Sequence, residues 1–161
     1  MKKCVFAGSF DPFTLGHADI VERCLALFDE VVVAVLCNRQ KRTMFTEEER
    51  MQMLEAVYRD VPRVRVVLYD GLLVDLLREE NTNIYVRGVR DSIDCTYETE
   101  ILRMNEHLLP QIITVFIPSP SHLLFMSSTF VRNAILFHKP VEEYVPKRMQ
   151  SLLARFIEDR K

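Results

Sequence analysis

The spacing of hydrophobic positions changes period several times along the chain. Residues 4–7 (CVFA) form a short apolar run that reads as a strand. Over residues 19–28, Ile20, Val21, Cys24, Leu25 and Phe28 recur at three- and four-residue steps, which puts them on one helical face. Residues 31–36 (VVVAVL) are continuously apolar and rich in β-branched side chains, the pattern of a strand buried on both faces. Thr46 with Glu49 three positions later is a capping box, opening a helix that runs to about Arg59. The same reading predicts strands at 64–68, 84–86 and 112–117, and helices at 72–80, 97–109 and 128–137. Pro146 suits the first turn of a last helix, with Met149, Leu152, Leu153, Phe156 and Ile157 along one side.

Strands that alternate with helices and are buried on both faces imply an α/β fold. The expected form is a Rossmann-like, doubly wound, parallel five-stranded sheet with helices on both faces, in a single domain over residues 1–161. Such sheets bind ligands beyond the carboxyl ends of their strands. The segments expected to carry function are therefore 8–17, 37–45, 69–72, 87–94 and 118–127.

Composition narrows the chemistry. The chain has 161 residues, 48% hydrophobic and 27% charged, enough for one soluble globular domain with a sizeable core. A formal charge of −2 gives no global attraction to nucleic acid or anionic membrane, so an anionic ligand must be held by local cations. Cys4, Cys24, Cys37 and Cys95 show no CxxC spacing and sit in or beside apolar runs. They read as reduced cytoplasmic thiols, with Cys4 and Cys24 in the core. No apolar run is long enough to span a membrane, and the start of the chain is too short in apolar residues for a signal peptide.

The four glycines, Gly8, Gly16, Gly71 and Gly88, all fall in the strand-end segments. The first segment, GSFDPFTLGH, ends where a helix begins, and a helix N-terminus with its free amides is a ready anion site. Ser9 follows the first glycine, and His17 sits in the first helical turn, able to donate to a phosphate oxygen. Asp11 before Pro12 is first a turn residue, and Phe10 is first a core residue. Three other segments supply cations: Arg39, Lys41 and Arg42 in NRQKR; Arg87 and Arg90 in RGVR; and Arg132 in SSTFVR, which also opens a helix with three hydroxyls. Together they put phosphate-binding chemistry on several strand ends of a nearly neutral protein. His107, His122 and His138 read as surface or interface groups.

GSFDPFTLGH with MSSTFVR resembles the nucleotidyltransferase superfamily, whose members carry a (T/H)xGH loop and an ISSTxxR-like helix start. Within it the chain resembles the phosphopantetheine adenylyltransferase family over nearly its whole length. Thr14 stands where relatives acting on nicotinamide mononucleotide or glycerol phosphate usually have a first His. MFTEEER, VRGVRD, Tyr97-Glu98 and MNEHLLP also match. Leu15, the Asp94-Cys95-Thr96 run and the Leu123-Leu124 pair depart from the family pattern.

The resemblance implies transfer of an adenylyl group from ATP to 4′-phosphopantetheine, giving 3′-dephospho-coenzyme A and pyrophosphate. It also implies Mg²⁺ carried mainly by the ATP phosphates and water, and direct in-line attack without a covalent intermediate. Carried over by position, His17, Lys41, Arg90 and Ser9 are the catalytic group. Ser9, Phe10, His17, Gly88, Val89, Arg90 and Glu98 bind ATP, together with the stretch Leu123, Leu124, Phe125, Met126, Ser127, Ser128 and Thr129. Ser9, Lys41, Leu73, Arg87, Met104 and Asn105 bind the phosphopantetheine. A cytoplasmic homohexamer, arranged as a dimer of trimers with coenzyme A as feedback ligand, is implied as well. Two other readings stay open: a relative with a different acceptor, and a non-catalytic nucleotide-binding domain.

Overall fold

The computed structural model describes residues 1–37, 42–90 and 102–160. Five parallel strands make one sheet in the order β3-β2-β1-β4-β5. They are β1 (Lys3–Gly8), β2 (Glu30–Leu36), β3 (Val64–Tyr69), β4 (Ile84–Val89) and β5 (Ile113–Pro118). The helices are α1 (Leu15–Leu27), α2 (Glu47–Tyr58), α3 (Leu73–Glu79), a helical segment over described residues 102–108 (α4), α5 (Ser128–Leu136) and α6 (Gln150–Glu158). The predicted parallel α/β sheet is thus present.

The alternation of side chains along the strands explains the two helical layers. Cys4 and Phe6 of β1 and Val31, Val33 and Val35 of β2 face a core built with Ile20, Val21 and Cys24 of α1, Met53 and Leu54 of α2, and Leu153 and Phe156 of α6. Val5, Ala7, Val32 and Ala34 point the other way, onto Val74, Leu76 and Leu77 of α3 and onto Leu109. Each fully buried side chain of this size contributes roughly 1.5–3 kcal/mol. After Glu30, β2 is buried on both faces over residues 31–35 and leaves no polar position there, which is why 31–36 read as an unbroken apolar run.

Three boundaries differ from the sequence expectation. Helix α1 begins at Leu15, four residues earlier than its apolar periodicity shows, because Thr14 caps it ahead of the first buried position. Strand β4 continues through Arg87, Gly88 and Val89, which pair with Phe116, Ile117 and Pro118 of β5, so these residues are strand rather than loop. Pro146 precedes a 3₁₀ turn, Lys147–Met149, and the α-helix proper starts only at Gln150. The capping box at Thr46 is present, with Thr46 Oγ accepting from the Glu49 amide and the Glu49 carboxylate accepting from the Thr46 amide.

The topology fixes where a ligand can go. From β1 the chain winds outward through β2 to β3, then crosses to β4 on the other side of β1. The crevice between the carboxyl ends of β1 and β4 is therefore the switch point.

Candidate active site

The segment leaving β1 is bent back on itself and tied from several sides. Phe10 has φ 49, in the left-handed region, and its ring is buried at 3% exposure. Gly8 makes this possible: a Cβ there would stand 3.1 Å from the Phe10 ring. None of the four glycines has positive φ, so Gly8 provides room rather than an unusual dihedral. Gly88 does the same in β4, where a Cβ would meet Ile20 of α1 at 3.0 Å.

Asp11 is the anchor of this segment. Its buried carboxylate accepts from the amides of Met44 and Phe45, both at 2.9 Å, and lies 3.7 Å from Arg132. The carbonyls of the segment are engaged in turn: Ser9 by the Arg50 guanidinium at 2.7 Å, Asp11 by Arg132 at 2.6 Å, and Pro12 by the Ser128 hydroxyl at 2.8 Å. The segment is thus bound to α2 on one side and to α5 on the other through the carbonyls of Ser9, Asp11 and Pro12.

His17 stands at the third position of α1, half-buried. The Thr14 amide donates to its Nδ1 at 3.0 Å, so Nδ1 is the acceptor nitrogen. Burial, and then the charges of Arg87 and Arg90, push its pKa down to about 3. The imidazole is consequently neutral near pH 7, and its proton is on Nε2. Phe13 stacks on the ring at 5.3 Å between centroids, and Phe10 meets it edge-on at 5.2 Å, so its orientation is fixed by packing as well as by the cap.

His17 and Ser9 open into a cleft of about 990 Å³ at the β1/β4 switch point. Four arginines line it, Arg42, Arg87, Arg90 and Arg132. Arg87 also donates to the Ala7 carbonyl at 3.1 Å, across the β1–β4 seam. The N-terminal ends of α1 and α5 both face the cleft through Gly16, His17, Ser127, Ser128 and Thr129. Helix starts leave amide donors without intrahelical partners, and their dipoles favour anions. The arrangement suits a multiply charged phosphate ligand.

Of the residues assigned from sequence, Ser9, Phe10, His17, Leu73, Arg87, Gly88, Arg90, Met104, Asn105, Leu123, Met126, Ser127, Ser128 and Thr129 all line this one cleft. Lys41 and Glu98 lie outside the described residues. Val89, Leu124 and Phe125 are not among the lining residues; Phe125 packs edge-on against Phe130 and Tyr144 instead. Among the described residues, the buried Asn105 amide nitrogen has no hydrogen-bond partner.

The three hydroxyls of SSTFVR differ in what they still offer. Ser127 caps α5 by accepting from the Phe130 amide at 3.1 Å, and Thr129 accepts from Arg132 at 3.2 Å, so both keep a proton to donate. The Ser128 hydroxyl donates its hydrogen bond to the Pro12 carbonyl at 2.8 Å. Sequence reasoning treated Asp11 as a turn residue and gave Arg50 and Thr43 no site role. For Asp11 and Arg50 the only available signal was a charged residue in a stretch that folds into the interior. Among the described residues, no three His, Cys, Asp or Glu side chains stand together to hold a metal ion. Asp11, the one carboxylate lining the cleft among the described residues, is already occupied by two amides and Arg132.

A parallel sheet with an anion cleft at its switch point, walled by arginines and two helix starts, is compatible with a nucleotidyltransferase, and the cytidylyltransferase-like family profile, which matches residues 5–134, puts the chain in that class. A candidate nicotinate-nucleotide adenylyltransferase of known crystal structure, from Vibrio parahaemolyticus, shares the fold with a TM-score of 0.71 at 21% identity, covering 100% of this chain and 98% of its own. The chain is 45% identical over 149 residues to a phosphopantetheine adenylyltransferase from Porphyromonas gingivalis, covering 91% of this chain and 97% of the relative. Proteins of the same name from Symbiobacterium thermophilum (44% over 146 residues) and Clostridium kluyveri (38% over 149 residues) each match across nine-tenths or more of both chains. The chain belongs to the phosphopantetheine adenylyltransferase family.

Proposed function

We propose that the protein transfers the adenylyl group of ATP to 4′-phosphopantetheine, giving 3′-dephospho-coenzyme A and pyrophosphate. The acceptor phosphate attacks the α-phosphorus in line, a new P–O bond forms, and the bond to the β-phosphate oxygen breaks. The attacking phosphate is already anionic near neutral pH and needs no general base. Catalysis then consists of holding two phosphate groups in line and stabilising charge that builds on the α-phosphate oxygens.

The observation that carries this reading is the neutral His17, whose Nδ1 is committed to the Thr14 amide and whose Nε2–H is left as a donor within the arginine-lined cleft. A fixed neutral donor supplies a hydrogen bond that strengthens as the transition state gains charge, and costs no reorganisation. Arg90 and the α5 N-terminus serve the ATP side. Arg87, with Leu73, Met104 and the partnerless amide of buried Asn105, serves the phosphopantetheine side. Ser9 lies between them, and Lys41 and Glu98 complete the set as acceptor-phosphate and nucleotide contacts.

Mg²⁺ carried mainly by the ATP phosphates and water would offset the phosphate charge. Cytoplasmic location, a single domain, a dimer-of-trimers hexamer and coenzyme A as a feedback ligand go with this reading, as does the absence of nucleic-acid and membrane partners. Among the described residues no helix is long and apolar enough to cross a membrane.

The deciding assay is pyrophosphate release from ATP and Mg²⁺ with 4′-phosphopantetheine, nicotinamide mononucleotide and glycerol phosphate side by side. Release with 4′-phosphopantetheine alone is expected. Release with another acceptor instead moves the substrate. No release with any of them, from folded protein that binds ATP, makes the chain a non-catalytic nucleotide-binding domain.

A further inference from the structure

Arg50 lies beneath the site and takes no part in lining it. It is 3% exposed, yet among the described residues no carboxylate pairs with its guanidinium. Its contacts are two peptide oxygens: Thr46 at 3.3 Å, on its own helix, and Ser9 at 2.7 Å, forty-one residues away. An arginine this buried normally has an acidic partner, because an uncompensated charge away from water is unfavourable. Arg50 instead directs its charge at the first residue of the phosphate-facing segment.

That single contact has a geometric consequence. The Ser9–Phe10 peptide is trans, so its N–H points opposite to its C=O. With the Ser9 oxygen drawn toward Arg50, the Phe10 amide is turned to the other side. No acceptor within the described residues receives it. Phe10 adopts φ 49, a conformation unfavourable for an aromatic residue that persists only where its surroundings impose it.

We propose that Arg50 is a positioning residue for adenylyl transfer: by engaging the Ser9 carbonyl it holds the Ser9–Phe10 peptide with the Phe10 N–H presented to a phosphate oxygen and the carbonyl kept away from it. The proposal rests on the adenylyltransferase reading for its kinetic test and on anion binding alone for its spectroscopic one. The effect of Arg50 on Cys37 supports its reach: its charge opposes the burial and the Glu47 contact that raise that cleft-lining thiol.

The test compares Arg50→Lys, Arg50→Gln and Arg50→Met with the parent protein, normalising each to its folded fraction by thermal unfolding. The expected result is a kcat reduced about 100-fold in the Met variant, with the KM for 4′-phosphopantetheine changed far less, since misplacing one oriented donor has an effect of that order. Lys, which keeps the charge and a donor, should recover about tenfold of this, and Gln less. In backbone amide NMR spectra, the Phe10 resonance should shift on adding ATP to the parent and stay in place in the Met and Gln variants. Wild-type kcat in the Met and Gln variants overturns the proposal. So does a loss equal in Lys and Met, or a Phe10 resonance that ATP does not move in the parent. If the Met variant does not fold, Lys and Gln decide by the same criteria. A parent protein that transfers nothing yet shows the Phe10 shift removes the reaction and leaves Arg50 as an anchor of the anion site.

Discussion

The Thr14 amide donates to Nδ1 of His17 at 3.0 Å, and that bond determines which nitrogen of the imidazole can face a ligand. Thr14 is also the N-cap of α1, its Oγ accepting from the His17 amide in a reciprocal capping pair. A capping box ordinarily uses Glu or Gln at this third helical position. With His there, the geometry that starts the helix also selects the tautomer of the proposed catalytic group. Helix capping and site chemistry therefore act through the same two residues.

Replacing His17 with Ala should remove the Nε2 donor while leaving the arginines and helix starts in place. We expect kcat to fall about 10²–10³-fold, the range for losing one preorganised donor. ATP affinity, measured by calorimetry, should change about threefold or less, because the lost bond is strongest in the transition state. Loss of affinity with unchanged kcat would remove His17 from the chemistry.

The depressed pKa of His17 also affects stability. Between about 3 in the folded protein and its ordinary 6.5, the unfolded chain binds a proton that the folded one does not. Stability therefore rises with pH across this window and is lost as pH falls from 6.5 toward 3. On moving from pH 7.5 to pH 5, the parent's melting temperature should drop about 6 °C further than that of His17→Asn. Parallel pH profiles would contradict a His17 buried in its neutral form.

Asp11 ties together three separate parts of the chain, so Asp11→Ala should be costly. The Met44 and Phe45 amides would lose their acceptor, and Arg132 its nearby charge. Denaturant titration should show a loss of about 2–4 kcal/mol. Asp11→Asn keeps one carbonyl oxygen and should recover part of this. An unchanged midpoint in the Ala variant would mean that the two amides find water instead.

The SSTFVR hydroxyls should separate cleanly. Ser128→Ala removes the bond to the Pro12 carbonyl, which should cost about 1 kcal/mol in stability with little effect on ATP binding beyond it. Thr129→Val keeps the size but removes a hydroxyl that still has a proton for a ligand, so it should weaken ATP binding while stability changes less. Calorimetry and thermal unfolding on the two variants would show the reverse ordering if the Ser128 proton were the one used by the nucleotide.

Local signals were legible where local physics determines structure. The apolar run of β2 and the Thr46 capping box each depend on residues within one or two turns and appear where the patterns put them, while the inward face of α6 keeps Leu153 and Phe156 but begins only after the 3₁₀ turn that holds Met149. The start of α1 was misread because Gly16 and His17 interrupt the apolar period, although Thr14 is a good cap. The extension of β4 through Val89 depends on pairing with β5, which lies more than twenty residues later and has no trace in RGVR itself. Much of the candidate site was legible because a cluster of cationic and hydroxyl residues at strand ends has a chemical meaning before folding. The roles of Asp11 and Arg50 were not, because each depends on peptide groups 33 to 41 residues distant.

The central place of β1 has a consequence during synthesis. Its β2 edge can pair once residue 36 has emerged, but its other edge waits for β4, which starts at Ile84. Until then the chain has one wall of the cleft and an open sheet edge with no floor for a phosphate. Nucleotide binding is thus a property of a chain that has closed the β1–β4 seam, and a bound nucleotide would stabilise the finished fold over any half-assembled form.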